Sequence, residues 1–258
     1  MRLFGLIGYP LGHSFSKKYF TEKFARESIT DARYELFPLE NISGLPLLLE
    51  QNPDLRGLNV TIPHKEAVIP LLHKLDETAL AVGAVNCVKI ENQRLVGFNT
   101  DIIGFGNSLV NFFQDNDRPD FFRADSLHRP WPEEALILGT GGAAKAVAYI
   151  LKKLGIAFQF VSRKPKGENE IAYELLPRII HRSTLIINTT PLGMSPHEDA
   201  CPDLPFERLT PEHFVYDLIY NPAETLLLQR AKARGCAVKN GLEMLHLQAE
   251  AAWKIWND

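Results

Sequence analysis

Cysteine is scarce in this sequence. Its three thiols, Cys87, Cys201 and Cys236, stand far apart, form no C-x-x-C pair and have no histidine cluster beside them. That excludes a disulfide framework and a Cys/His zinc site, and reads as reduced thiols of a cytoplasmic protein. Long apolar runs are missing too. No stretch approaches the roughly 18 residues that a membrane span needs, so none is expected. The opening MRLFGLIGYP is apolar but meets Gly8 and Pro10 too soon for the core of a signal peptide. Charge of one sign is the third absence. Twenty-eight basic and 31 acidic side chains leave a formal net charge of −3, and no Lys/Arg block occurs. Nucleic acid is therefore not an expected partner.

What is present is the composition of a folded domain. Of 258 residues, 45% are hydrophobic and 23% charged, enough for one large or two modest domains. The pattern alternates short apolar runs with helical periods. Residues 3–8, 34–39, 58–62, 84–90 and 94–98 read as strands, the last two joined by the polar turn Glu91-Asn92-Gln93. Between them, residues 16–26, 42–50 and 66–74 read as helices, with Phe20 and Phe24 on one face of the first. Such alternation predicts a mostly parallel sheet covered by helices. Residues 101–113 form another expected helix. Residues 114–133, rich in Asp, Pro, Arg and aromatics without a period, are the best linker or surface excursion.

A second alternating series follows: strands at 135–138, 157–161, 185–188, 214–218 and 237–239, helices at 143–154, 168–180 and 242–256. Asn221-Pro222-Ala223-Glu224 carries the N-cap, first-turn proline and capping-box glutamate of a helix expected to run to Arg234 and stop at Gly235. There is no internal repeat.

The sharpest local signal is Leu136-Ile137-Leu138-Gly139-Thr140-Gly141-Gly142-Ala143-Ala144, a strand entering a glycine turn and then a helix. Glycines permit the tight turn and let a pyrophosphate approach the backbone, while the helix N-terminus offers free N–H groups to the anion. A glycine turn can also end a strand that binds nothing; the strand–turn–helix context favours a dinucleotide. The next strand ends in Ser162-Arg163-Lys164, with no carboxylate until Glu168 to hold a ribose 2′-hydroxyl. Cations there suit a 2′-phosphate, which points to NADP.

Four segments of the first half place small polar residues at strand ends: His13-Ser14-Phe15-Ser16, Asn59 to Lys65, Gly83 to Asn86, and Gly97 to Asp101. They supply hydroxyls, amides, one lysine and one carboxylate, an inventory suited to a polyhydroxylated small molecule. Singly, each has a plainer explanation. Ser14 or Ser16 can cap a helix, Asn99-Thr100-Asp101 can start one, and a lone lysine such as Lys65 is more often a solvated surface residue.

Jointly, the pieces GYPLGHSFS, NVTIPHK, GAVN, GFNTD, GTGGAAKA, NTTPLGM and NGLEMLHLQAE fall in the order and spacing of one family. From Gly8 to the last helix, the chain resembles the shikimate dehydrogenases. The resemblance implies two α/β domains around a cleft, the second a Rossmann-type doubly wound parallel sheet. The substrate domain would be 1–104 plus 241–258, and the NADP-binding domain 105–240. It implies NADP-dependent reduction of 3-dehydroshikimate to shikimate, a step towards chorismate and the aromatic amino acids. Lys65 and Asp101 would be the catalytic pair. Ser14, Ser16, Thr61, Asn86, Asp101, Tyr220 and Gln248 would bind the substrate. Gly139, Thr140, Gly141, Gly142 and Ala143, with Ser162, Arg163 and Lys164, would hold the phosphates and adenosine. Asn188, Thr189, Leu218 and Gly241 would lie near the ribose and nicotinamide, and Glu77 matches one further cofactor position. The expected protein is a cytoplasmic monomer or homodimer acting on a small molecule, with no metal.

The sequence departs from the family pattern in places. Lys17 stands where proline is usual, Tyr19-Phe20 where His-Asn is usual, and Cys87 where threonine follows GAVN. Ser162 replaces an asparagine, and Gly167 a second arginine. A quinate/shikimate dehydrogenase preferring NAD, and a non-catalytic shikimate-binding module, are the two alternatives on the same fold.

Overall fold

The computed structural model describes residues 1–12, 15–116, 132 and 134–258. The segment expected as a linker lies largely outside the described residues. The chain divides into two units, Met1–Thr100 with Gln248–Asp258, and Asp101–Leu247.

The first unit is built on β1 (Arg2–Gly8), β2 (Ala32–Pro38), β3 (Leu55–Val60), β4 (Lys74–Leu75), β5 (Cys87–Glu91) and β6 (Arg94–Phe98), in the order β2-β1-β3-β5-β6-β4. The sheet is mixed. β1 runs parallel to β2 and β3, whereas β5 is antiparallel to both β3 and β6. The hairpin turn accounts for the β5–β6 pairing: Asn92 and Gln93 both take positive φ, the backbone a tight β-hairpin needs. Alternation along β1 sends Leu3 and Ile7 into one apolar cluster and Phe4 and Leu6 into another.

Helix α1 (Phe15–Arg26) covers the second face with Tyr19, Phe20 and Phe24, joined by Trp253 and Trp256 from the end of α9 (Leu242–Asn257). The Trp256 indole lies over Gly57, where any side chain would collide with it, and its Nε1 donates to the Val88 carbonyl at 3.1 Å. The other face carries α2 (Leu45–Gln51), preceded by a single 3-10 turn at Ile42–Gly44.

The helix expected over 66–74 is broken. α3 (His64–Ala67) stops, a 3-10 turn follows at Ile69–Leu71, and β4 begins. Pro70 within that stretch has no N–H to continue the ladder. The sequence reading also passed over α4 (Glu77–Val82). Asp76 caps it, accepting from the Thr78 and Ala79 amides at 2.8 and 3.3 Å, and Gly83 closes it with φ +69°.

The second unit holds β7 (Glu134–Leu138), β8 (Ala157–Ser162), β9 (Glu170–Ala172), β10 (Leu185–Asn188), β11 (Phe214–Asp217) and β12 (Ala237–Lys239). All pairs are parallel, in the order β12-β11-β10-β7-β8-β9. The order reverses between β7 and β10, the switch point where such sheets bind ligands. α5 (Asp101–Gln114) and α6 (Gly142–Lys153) bury Phe105, Leu109, Phe112, Val147 and Leu151 against Ala135 and Ile137. The alternate residues Leu136 and Leu138 face a second cluster containing Leu176, from α7 (Leu176–Ile179), and Leu227, from α8 (Leu226–Lys232).

Two expected helices are corrected here. Residues 168–180 form β9, a 3-10 turn and the one-turn α7, because Asn169 and Glu170 join the ladder beside Phe160. The next helix begins at Leu226, not at Asn221. Its cap is Thr225, whose hydroxyl accepts from Leu228 N. Residues 221–223 are engaged elsewhere: Ser195 N donates to the Asn221 carbonyl and Asn240 Nδ2 to that of Ala223. The two units divide at Thr100 and Leu247, near the expected 104 and 241, with 101–104 forming the first turn of the continuous helix α5.

Candidate active site

In the first unit, strand ends bring together the described parts of the polar segments, Ser16 with 59–65, 83–86 and 97–100. The backbone at Thr61 leaves β3 with its N–H on the Ile7 carbonyl, and its own carbonyl accepts from His64 N. The turn delivers Lys65, half-buried, at the start of α3. The Lys65 carbonyl accepts from Val85 N at 2.7 Å, so the lysine sits one residue from Asn86 across the bond.

Asn86 is 3% exposed and its amide is heavily committed. Oδ1 accepts from Thr100 N at 2.6 Å, and Nδ2 donates to Thr100 Oγ1 at 3.0 Å. Gln248 Oε1 lies 3.4 Å from Asn86 Nδ2 and 3.3 Å from Thr100 Oγ1, which orients the Gln248 amide. Below this layer Tyr34 donates to Asn59 Oδ1 at 2.8 Å, and Asn59 Nδ2 reaches the Asn86 carbonyl at 3.4 Å. Burial holds the Tyr34 phenol well above its ordinary range, an effect opposed by a hydrogen bond from Ser16. Ser16, Thr61, Lys65, Asn86 and Gln248 thus share one polar neighbourhood of this unit. Ser14 lies outside the described residues. Tyr34, Asn59 and Thr100 were not singled out from sequence; only Asn59 and Thr100, inside NVTIPHK and GFNTD, left a signal there.

Lys17, at the usual proline position, pairs with Glu35 at 2.7 Å. Tyr19 donates to Glu250, and the nearly buried Lys23 pairs with Glu250 and Glu27 at 2.8 and 2.9 Å. Of the departures from the family pattern, Lys17 thus ties α1 to β2 and Tyr19, with Lys23 beside it, ties α1 to the C-terminal helix. Glu77 is exposed at the start of α4, in the unit that does not contain the glycine turn.

In the second unit, Gly139 takes φ +103° and leaves β7 with its N–H on the Val161 carbonyl. A Cβ there would stand 2.8 Å from Thr189 Oγ1, so the turn needs glycine on two counts. Thr140 follows, and Gly141 is the N-cap of α6 with no side chain to satisfy the first amides. A Cβ at Gly141 would meet nothing within 4 Å, so the space beside this first residue of the helix entry is open. Open space, uncapped amides and the helix dipole form a cradle that fits a pyrophosphate. Beyond β8, the Ser162 hydroxyl accepts from Lys164 N at 3.2 Å, bending the chain so that Arg163 and Lys164 are exposed. Arg163 lies close enough to Tyr173 to oppose the upward push that burial gives that phenol.

Asn188 and Thr189 end β10 beside the glycine turn. Thr189 Oγ1 donates to the Leu138 carbonyl at 2.6 Å. Asn188 is fully buried: Nδ2 donates to Asp217 at 2.9 Å and Oδ1 accepts from Thr190 N at 3.0 Å. Its side chain therefore shapes the turn, and the neighbouring Thr189 and Thr190 are the half-buried members. Leu218 follows β11, with its N–H on the Asn188 carbonyl, and Tyr220 is half-buried two residues on. Gly241 donates to the Ile219 carbonyl and presses against the Leu218 carbonyl so closely that no Cβ fits. Asp101, 6% exposed, opens α5. Asp217 and Thr225 were missed. They lie inside the sequence Asp-x-x-Tyr-Asn-Pro-x-x-Thr, which the reading spent on a helix start.

Comparison with known proteins gives a consistent picture. Residues 6–88 match the family model described as the shikimate dehydrogenase substrate binding domain. The chain is 37% identical over 277 residues to a protein named shikimate dehydrogenase (NADP(+)) from Geobacillus kaustophilus, covering 99% of this chain and 92% of that one. Among solved structures it resembles shikimate 5-dehydrogenase from Thermus thermophilus in complex with NADP(H) and shikimate, at 32% identity and TM-score 0.79, covering 99% and 93% of the two chains. It also resembles quinate dehydrogenase from Corynebacterium glutamicum in complex with NAD, at 28% identity and TM-score 0.83, again over 99% and 93%.

Proposed function

This chain belongs to the shikimate dehydrogenase family, NADP-dependent oxidoreductases that reduce 3-dehydroshikimate to shikimate, and we propose how its own residues divide that work. NADPH, when bound, supplies the hydride for the ketone carbon. The cradle of Gly139, Thr140, Gly141, Gly142 and Ala143 binds the pyrophosphate. Ser162, Arg163 and Lys164 bind the adenosine end, where the arginine fork and lysine charge suit a 2′-phosphate. Thr189, Leu218 and Gly241 border the ribose and nicotinamide, with Asn188 shaping that border.

Lys65 donates the proton to the carbonyl oxygen as the ketone is reduced, and its neutral amine accepts one in reverse. The observation that carries this reading is the Lys65–Val85 backbone bond, which seats the lysine beside the Asn86–Thr100–Gln248 network. Ser14, Ser16, Thr61, Asn86, Tyr220 and Gln248 hold the carboxylate and hydroxyls of the substrate. Asp101 is the acceptor for a substrate hydroxyl and the second catalytic group. Glu77 is retained as a cofactor residue only by its match to the family pattern.

Among the described residues, no helix is long and apolar enough to cross a membrane. Three free cysteines, two of them buried, suit a reducing compartment, and we place the enzyme in the cytoplasm as a monomer or homodimer. A spectrophotometric assay of shikimate with NADP tests the reading. Growth of the reduced-nicotinamide absorbance is expected, and none with an intact fold overturns it. The likeness to a quinate dehydrogenase with NAD, and Ser162 and Gly167 in the phosphate loop, favour a second reading as a quinate/shikimate enzyme. Faster turnover of quinate with NAD in the same assay would select it.

A further inference from the structure

Asp217 is a buried carboxylate to which the reaction gives no part. It is fully buried at the tip of β11, directly before Leu218. Three donors converge on it from three places in the unit. Asn188 Nδ2, from β10, reaches Oδ1 at 2.9 Å; Ile219 N reaches the same oxygen at 3.1 Å; and Thr225 Oγ1, the cap of α8, reaches Oδ2 at 2.6 Å. Every one of these bonds uses the carboxylate as an acceptor.

The consequences spread outward along the chain. The bond to Ile219 folds the backbone after β11 into a tight turn, which sets Leu218 and Tyr220 and gives Gly241 the Ile219 carbonyl to bond. The bond to Asn188 fixes that amide's orientation, so that its oxygen faces Thr190 N and Thr190 Oγ1. The bond to Thr225 holds the hydroxyl that also accepts from Leu228 N.

We propose that Asp217 is the positioning residue of the cofactor site, its ionised carboxylate holding the β10 and β11 turns in the shape that NADP contacts. The inference rests on assigning Thr189, Leu218 and Gly241 to the cofactor. A protonated Asp217 would donate to Thr225 Oγ1, which turns to accept, and would leave Ile219 N and Asn188 Nδ2 a weaker, neutral acceptor in place of a charged one. Burial pushes the Asp217 carboxyl up to about 6, against the lowering effect of its three donors, so this change falls within an accessible pH range. Few other charges bear on it. Cys201 faces it, but burial raises that thiol to about 11, leaving it neutral there. β10 and the end of β7 bring no titratable side chain, Lys239 of β12 is paired with Glu243, and Arg230 of α8 lies over the Phe206 ring.

The test is calorimetric binding of NADP⁺ between about pH 5 and 8 by wild type, Asp217→Asn and Thr225→Val, with thermal melts alongside. The 2′-phosphate itself titrates near pH 6, so wild type and variant are compared at each pH. For Asp217→Asn, neutral throughout, we expect NADP⁺ affinity at pH 8 to fall about tenfold or more, the scale of losing a bond to a charged group. The gap should close towards pH 5. Thr225→Val removes one donor and should move the wild-type affinity loss to higher pH. In steady state, KM for NADP should rise in Asp217→Asn more than kcat falls. Equal affinities of wild type and Asp217→Asn at every pH, or an unshifted profile in Thr225→Val, would overturn the proposal. Failure of the wild type to bind NADP⁺ at all would instead overturn the cofactor assignment beneath it.

Discussion

Lys65, Ser16 and Arg163 each have a plain structural alternative, and kinetics separates the roles. Lys65→Ala should lower kcat by about 10²–10⁴-fold while shikimate still binds, since a general acid–base is lost and the ligand network is not. A near wild-type kcat would remove Lys65 from the chemistry. Ser16→Ala should raise KM for shikimate about 10- to 100-fold and leave KM for NADP nearly unchanged, with only a small drop in melting temperature from the lost bond to Tyr34. A cap in the first turn of α1 would give the opposite pattern, costing about 0.5–2 kcal/mol of stability with KM intact. Arg163 is exposed after β8, so its loss should leave the fold alone. Arg163→Ala should erode the NADP-over-NAD preference mainly through KM, which steady-state measurements with both cofactors would read directly.

The glycine turn is a unit of design at the scale of an element, and its glycines are not equivalent. Gly139 stands at φ +103° against Thr189, so Gly139→Ala strains the protein itself. Gly141 stands at φ −79° with open space above it, a conformation any residue adopts. Gly141→Ala should change the melting temperature little, the lost N-cap preference for glycine being set against a less flexible unfolded chain, yet bind NADP⁺ more than tenfold more weakly, because its methyl enters the cradle. Calorimetry with a thermal melt decides it; unchanged affinity would mean that no phosphate approaches there. Helix α4 offers a contrast. Its cap Asp76 is held below the usual carboxylate range by the Thr78 hydroxyl and the amides it accepts from, in spite of partial burial. Asp76→Ala should cost about 0.5–2 kcal/mol of stability and leave both KM values in place.

For the whole molecule, the buried carboxylate also writes itself into the pH dependence of stability. Asp217 has its folded pKa raised from 3.8 to about 6. Between those values only the folded state holds the proton. Its contribution is thus present in full below about pH 4, falls as pH rises, and is lost above about pH 6, a change of a few kcal/mol at most. Asp76 and Glu243, with lowered values, act oppositely: their stabilisation is present at neutral pH and lost as the solution is acidified below about pH 4. Denaturant titrations of wild type and Asp217→Asn should show a stability difference that slopes between pH 4 and 6 and is flat above. A flat difference throughout would mean that the carboxylate ionises as readily inside as outside.

Period and punctuation determined much of this protein by themselves. The apolar run Leu136–Ile137–Leu138 into three glycines can only leave a buried strand through a tight turn, and the 3.6-residue period after it made α6 legible. Asp101 to Gln114 and the Glu91-Asn92-Gln93 hairpin were legible for the same reason, since local sterics and one apolar face decide them. Where two local signals competed, the tertiary structure chose. Asn221-Pro222-Ala223-Glu224 carries every mark of a helix start, but the buried Asp217, eight positions earlier, claims the Thr225 hydroxyl, and the helix begins there instead. Residues 168–180 have a weak helical period that loses to an open sheet edge beside Phe160. The site divides the same way. Which residue types meet a sugar acid and a phosphate was written in the motifs, because chemistry dictates the types. That Asn188 turns inward to Asp217, and that Tyr34 and Asn59 support Asn86, was settled by contacts across 25 to 29 positions of sequence. Burial decided those contacts: a polar group removed from water must find a partner, and the nearest partner is a matter of space rather than of sequence.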